Sequence, residues 1–419
     1  MSRLENIYVL LESYQENVWL DEQLRPTSDI RRKGKYYIIC EIEKNTEQLQ
    51  KRGDSCTLFF VCEDLNKEEM FFKITLTMLG HTEATVTRKV GELCCNKSPN
   101  LVEVIYTRSV EYLKHQLDFM MTKFEMKFDE SMKVIYNSVR DDEELLEIFE
   151  VLIFQLAHGL CIMHQNYLQH RDVKKSNLCI GESRHKRLQY VIDGVMFSVP
   201  AQFNGYSCVV KLTDFGLSHD GLNPFAEDEA LNNTDHSLAP HFVFFNHKKD
   251  LKYYDSDEIF STGMCILSAV TSFQMETLDR GIRREIIKFY RYQQEGGSPS
   301  VHLHLSLRNL AYVTYQAFRL ILLLGYPTKQ EMPEFYESLV GRAMLRVKPY
   351  LISLSNYDYL RKQMDSSQIH TKALQRMLRW NRSERVESLK HLLLSDLFQH
   401  YRTDYLDPEV PIYDNSKPI

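Results

Sequence analysis

The hydrophobic period of this chain changes near residue 142, and that change limits what it can fold into. From there Leu145, Phe149, Leu152, Leu156, Leu160 and Met163 recur at intervals of three and four, the spacing that lines one face of a helix. The acidic run Asp141 to Glu144 opens the pattern, where the positive end of a helix dipole favours carboxylates. Before it, apolar residues come in short β-branched and aromatic runs, at 36–40, 56–62, 70–76, 101–106 and 119–124, divided by charged clusters. These runs predict a five-stranded antiparallel sheet. A helix is expected over 82–95, with Val86, Val90 and Leu93 on one face. Beyond the long helix the chain reads as mostly helical, with segments at 256–271, 305–325, 331–347 and 385–401. The expected class is therefore α+β, a small antiparallel β lobe followed by a larger helical one, with poorly structured extensions at 1–30 and 402–419.

At 419 residues the chain is long enough for two or three packed units, at roughly 150 residues each. Apolar residues make up 43% and charged residues 26%, which excludes a wholly disordered or low-complexity chain. Lys and Arg number 51 against 57 Asp and Glu, a net charge of −6, so nucleic acid is not expected as a ligand. The cysteines are odd in number and scattered, with no C-x-x-C pair, and read as reduced thiols of an intracellular protein. Met1 to Tyr14 has no secretory pattern. The stretch 311–326 is broken by Arg319 and shorter than the roughly 20 apolar residues of a spanning helix, so no membrane span is expected.

The strongest local signal is His170-Arg171-Asp172-Val173-Lys174-Lys175-Ser176-Asn177, between the long helix and the apolar run Leu178 to Ile180. A carboxylate, a lysine two residues on and an amide five residues on can share the work of phosphoryl transfer. Asp172 can orient a hydroxyl and accept its proton, Lys174 can neutralise the γ-phosphate, and Asn177 can ligate a divalent metal. Further on, the strand-like Val209 to Thr213 delivers Asp214-Phe215-Gly216, whose Asp can bind magnesium bridging the phosphates. Either motif alone could be a chance match on a surface loop; the pair in order is far more specific.

In this order, after a helix of this pattern, the two motifs resemble the catalytic and metal-binding loops of eukaryotic-type serine/threonine protein kinases. Asn381 to Arg385 with Leu389 to Phe398 is similar to the final kinase helix and its arginine, so the likeness covers about 30–401. The resemblance implies a two-lobe fold, with an extension at 1–30, an ATP-binding lobe at 31–124, a catalytic lobe at 125–401 carrying insertions near 183–207 and 275–330, and a tail at 402–419. It implies ATP with Mg2+, or Mn2+ in its place, and a protein substrate offering Ser or Thr. The 183–207 insertion is similar to that of divergent kinases from large nucleocytoplasmic DNA viruses.

Residue by residue, Lys73 after Met70-Phe71-Phe72 resembles the lysine that holds the α- and β-phosphates, the other reading being a solvent-facing strand lysine. Glu83 and Glu92 compete as its helix partner, and Glu83 is favoured because it shares the face of Val86 and Val90. Thr122 would stand behind the adenine, or be an ordinary strand threonine, while Phe124 and Glu125 would offer backbone groups to the base. Thr234, before Asp235 to Pro240, is similar to the threonine that bridges the catalytic Asp and Lys. Lys174 is the mark of the serine/threonine branch. Between His219 and Asn233 there is no hydroxyl side chain, and Glu227-Asp228-Glu229 either pairs with Arg171 in a phosphate's place or is a solvated acidic loop.

Three departures stand out. The run 43–55 has only Gly53 where a glycine-rich phosphate loop belongs. The usual A-P-E reads Ala239-Pro240-His241, which removes the glutamate that partners an arginine at the position of Arg385. Glu258 replaces an aspartate, yet can still accept from the backbone of the catalytic loop. An active kinase is the first reading. A pseudokinase serving as scaffold or allosteric binder is the second.

Overall fold

The computed structural model describes residues 7–11, 16–20, 36–39, 56–64, 69–78, 83–112, 115–123, 125–222, 254–295, 307–352, 365 and 367–415. The chain divides into two compact units, Met1–Met126 and Lys127–Ile419.

In the first unit β1 (Ile7–Leu11) and β2 (Glu16–Leu20) form a hairpin, within the stretch expected to be poorly structured. Then follow β3 (Tyr36–Ile39), β4 (Cys56–Asp64), β5 (Glu69–Met78), α1 (Glu83–Asn96), β6 (Val104–Tyr112) and β7 (His115–Lys123). The last five strands make one antiparallel sheet in the order β3-β4-β5-β7-β6. β6 and β7 are longer than their apolar runs, because Arg108, Glu111, Gln116 and Asp118 fall inside the ladder, where pairing rather than apolarity extends a strand. Val86, Val90 and Leu93 of α1 are buried, and α1 lies so close to β6 that a Cβ on Gly91 would stand 2.7 Å from that of Val104.

After the short β8 (Met126–Lys127), the second unit is built on α2 (Phe128–Ser138) and α3 (Asp142–Gln165). Asp141 caps α3 by accepting from Glu144 N at 2.9 Å. Every residue of α3 from Ile148 to Met163 is buried, not one face alone. By length and hydropathy α3 could cross a membrane, but 83% of its most apolar window is buried inside the protein, as in a core helix.

The second face of α3 is covered by the insertion. Past β9 (Leu168–Gln169) and β10 (Leu178–Gly181), strands β11 (Arg187–Ile192) and β12 (Val195–Pro200) form a hairpin turned by Asp193 (φ 47°) and Gly194 (φ 78°). A smaller hairpin, β13 (Gln202–Phe203) and β14 (Tyr206–Ser207), precedes β15 (Val209–Leu212), which pairs with β10. Phe154 of α3 meets Tyr190, Phe197, Phe398 and Tyr401 at centroid distances of 5.3 to 6.1 Å. β16 (His219–Asp220) pairs with β9.

The helical remainder comprises α4 (Asp255–Glu295), α5 (Leu307–Leu324), α6 (Pro333–Glu337), α7 (Leu339–Ile352), α8 (Ile369–Met377) and α9 (Leu389–Leu394). The helix expected to stop at 271 runs on to Glu295. The one expected over 385–401 is broken into α9 and a 3-10 turn at Asp396–Tyr401, preceded by another at Arg382–Glu384, since Ser388 caps α9 and Ser395 bonds back to Leu392 O.

Residues 402–415, within the stretch expected to be poorly structured, are also built into the fold. β17 (Ile412–Asp414) adds to β11 in parallel. Buried Gln189 donates to Asp407 O (2.8 Å) and Val410 O (3.0 Å) and accepts from Asp407 N (2.5 Å). Insertion and tail thus complete one another, a pairing across more than 200 residues that local periodicity does not encode. Gln189→Ala removes three hydrogen bonds to backbone groups of this part-exposed segment, of which, among the described residues, only Asp407 O keeps a partner, Val410 N (3.1 Å), a loss of about 0.5–1.5 kcal/mol per bond. The expected outcome is faster amide exchange across 407–415 with exchange in α3 unchanged; equal protection in both proteins refutes the clamp.

Candidate active site

In the first unit Lys73 sits on β5 and Glu83 in the first turn of α1. Lys73 Nζ donates to Glu83 Oε1, and the glutamate is buried, whereas Glu92 is exposed. Of the two acids, Glu83 is the one bonded to Lys73. Thr122, buried on β7, lies opposite Phe71, two residues along from the pair Lys73 and Met120. Met120 Sδ accepts a hydrogen bond from Thr87 Oγ1 at 3.5 Å, one turn beyond Glu83. Glu125 is buried as well. Phe124 lies outside the described residues.

In the second unit the His170–Asn177 loop folds on itself. The Asp172 carboxylate accepts from Lys174 Nζ (2.6 Å) and Asn177 Nδ2 (2.9 Å), and Asn177 Nδ2 also reaches Asp172 O (3.0 Å). Asp172 and Asn177 are buried and Lys174 is half-buried. This loop is tied to the Asp214 loop at four points. His170 Nε2 donates to Thr213 O (3.0 Å), its ring packs 5.3 Å from that of Phe215, Ser218 Oγ donates to His170 O (3.1 Å), and Thr213 N donates to Asn177 O (3.1 Å). Arg171 (φ 61°) and Asp214 (φ 63°) both hold left-handed backbone, as do Tyr167, Asp193 and Asn204 elsewhere in the chain.

Below the loop, Glu258 in the first turn of α4 is wholly buried. Its Oε1 accepts from Arg171 N at 2.6 Å, as expected for the residue replacing an aspartate, and its Oε2 meets His164 Nε2 at 2.5 Å. Burial opposes ionisation of Glu258, but the bond and charge of His164, with His170 and the Arg171 N–H, carry its carboxyl below the usual range. Burial likewise opposes a charged His164, yet the bond and charge of Glu258, with Asp255 beyond, raise its pKa. His164 went unnoticed in the sequence; its one signal is a histidine in the last turn of a helix, where the dipole favours a cation. With His241 in place of the A-P-E glutamate, Arg385 pairs with Asp257 at 3.2 Å.

Asn177 and Asp214 suit a divalent cation. The amide nitrogen of Asn177 is engaged by Asp172, its oxygen accepts only from Ser176 Oγ at 3.5 Å among the described residues, and Asp214 adds carboxylate oxygens, a hard donor set that fits magnesium. Among the described residues no cluster of three His, Cys, Asp or Glu could hold a metal. Thr234 and Glu227 to Glu229 lie outside the described residues.

The chain matches the family model "Protein kinase domain" over residues 52–398, and it belongs to that family. It is thus a phosphotransferase domain of the kind that uses ATP with divalent metal and acts on proteins. Among solved structures it is similar to the yeast RNA Pol II CTD kinase CTDK-1 complex, with 16% identity over 92% of this chain and 97% of that chain and a TM-score of 0.47. No curated protein matches it.

Proposed function

We propose that the protein is a serine/threonine kinase that transfers the γ-phosphoryl of ATP to hydroxyls of a protein substrate. The observation that carries this reading is the Asp172 carboxylate held jointly by Lys174 and Asn177. In that arrangement Asp172 orients the substrate hydroxyl and takes its proton, Lys174 neutralises charge on the transferred group, and Asn177 and Asp214 hold the metal. Lys73, fixed by Glu83, holds the α- and β-phosphates; Thr122, Phe124 and Glu125 border the base; Arg171 and Thr234 order the substrate-binding segment. A lysine at 174 favours Ser and Thr over Tyr.

The test is transfer of labelled phosphate from ATP to a mixed protein substrate with Mg2+ or Mn2+, followed by phosphoamino-acid analysis. Phosphoserine or phosphothreonine is expected, and phosphotyrosine alone overturns the specificity. A second reading, nucleotide binding without transfer, draws on the near absence of glycine from 43–55. It predicts a magnesium-dependent thermal shift with ATP and no labelled product. Lys73→Met separates binding from chemistry at the first unit. It should raise the KM for ATP and lower turnover, since it removes a cation from the phosphates and the ion pair with buried Glu83. Unchanged kinetics place the phosphate-holding lysine elsewhere.

A further inference from the structure

The first turn of α4 carries three carboxylates within four residues, and they face two ways. Asp255 Oδ1 accepts from Gln169 Nε2 at 2.8 Å, and Gln169 Oε1 accepts in turn from Arg171 Nε at 3.0 Å. Glu258 holds the Arg171 N–H. Both therefore act on the residue just before Asp172. Asp257, fully buried between them, faces away.

Asp257 is gripped by two arginines from the stretch after α8. Its Oδ1 accepts from Arg382 Nε (3.2 Å) and Arg385 Nη1 (3.2 Å), and its Oδ2 from Arg382 Nη2 (2.9 Å) and Tyr254 N (3.0 Å). Arg385 is itself buried, donates to Ser256 O (2.9 Å) and Arg379 O (3.3 Å), and lies 4.7 Å over the Phe260 ring. Arg382, 35% exposed, closes the outside, stacked 4.5 Å over Tyr254. Two adjacent buried carboxylates repel one another, and desolvating ion pairs is costly, so the cluster is a poor device for stability alone. Its geometry serves a different end: the turn is held from one side by arginines while its other side holds the catalytic loop.

We infer that the Asp257–Arg382–Arg385 cluster is a positioning device for catalysis, which fixes the first turn of α4 and, through Glu258 and Asp255, sets Arg171 and hence the carboxylate of Asp172. The catalytic part of this inference rests on the kinase reading above; the positioning part does not.

Arg382→Gln is the test variant, because its side chain is half-exposed and its loss leaves Arg385 on Asp257. Two readouts are taken well below the unfolding midpoint. Amide exchange at Arg171 is expected to quicken about tenfold, while exchange in the core of α3 stays unchanged. Turnover per folded molecule is expected to fall about tenfold with KM for ATP unmoved, the scale on which slight misplacement of a reacting group acts. Arg382→Lys should recover part of both effects, since an ammonium can still pair with Asp257. Unchanged exchange at Arg171 overturns the proposal, whatever the activity. So does a lowered melting temperature with wild-type exchange and wild-type turnover, which marks a merely structural cluster. If exchange responds but even the wild type transfers no phosphate, the positioning role stands and the kinase reading fails.

Discussion

Asp172→Asn is expected to lower kcat by about 10²- to 10⁴-fold, the range by which a positioned general base accelerates proton transfer. The substitution keeps size and shape. One oxygen of the new amide can still accept from Lys174 or Asn177, which now reach the same carboxylate oxygen at 2.6 and 2.9 Å. Its N–H2 group cannot take a proton from a substrate hydroxyl. Binding of ATP should change little, because the substitution alters the proton acceptor and none of the groups assigned to the nucleotide. Single-turnover transfer measured beside the thermal midpoint separates the two effects. Turnover within tenfold of wild type, in a folded variant, removes Asp172 from the role of base.

The parts of this site that were legible in the sequence share a physical property: their partners are close along the chain. Asp172, Lys174 and Asn177 span six residues, and one tight loop brings them together whatever the rest of the fold does. Glu83 could be chosen over Glu92 because helix periodicity places it on the face of Val86 and Val90, which the sheet buries. Gln189 illustrates the opposite case. Its partners at 407 and 410 lie 218 and 221 residues away, and no local pattern announces a strand as short as β17. The same holds for His164 and Glu258, which are 94 residues apart. Arg385 belongs with them: the motif showed only that its usual glutamate is missing, whereas its pairing with Asp257 follows from how two distant segments pack. The unbroken burial of α3 belongs here too. Periodicity reported one face, and the hairpin of β11 and β12 together with Phe398 and Tyr401 explains why the face carrying Phe154 is apolar as well.

The largest expected loss of stability lies at that distant pair. Glu258→Gln leaves His164 without its counter-charge in a buried site and weakens the acceptor of the Arg171 N–H, a class of change that costs about 3–5 kcal/mol. The cost depends on pH with a definite sign. Glu258 has a depressed folded pKa, so its contribution is present above its ordinary value of 4.5 and is lost as pH falls through the lower folded value. His164 has a raised folded pKa, so its contribution is complete below its ordinary value of 6.5 and is lost as pH rises through the higher folded value. The gap in unfolding free energy between wild type and Glu258→Gln should therefore be widest between pH 4.5 and 6.5 and narrow on both sides. Denaturant unfolding of both proteins from pH 4 to 9 measures it. A gap that stays constant across that range would show that the two side chains meet as neutral groups. In that case the buried charge pair beneath the catalytic loop would have to be abandoned, and the strength of the Arg171 contact would rest on hydrogen-bond geometry alone.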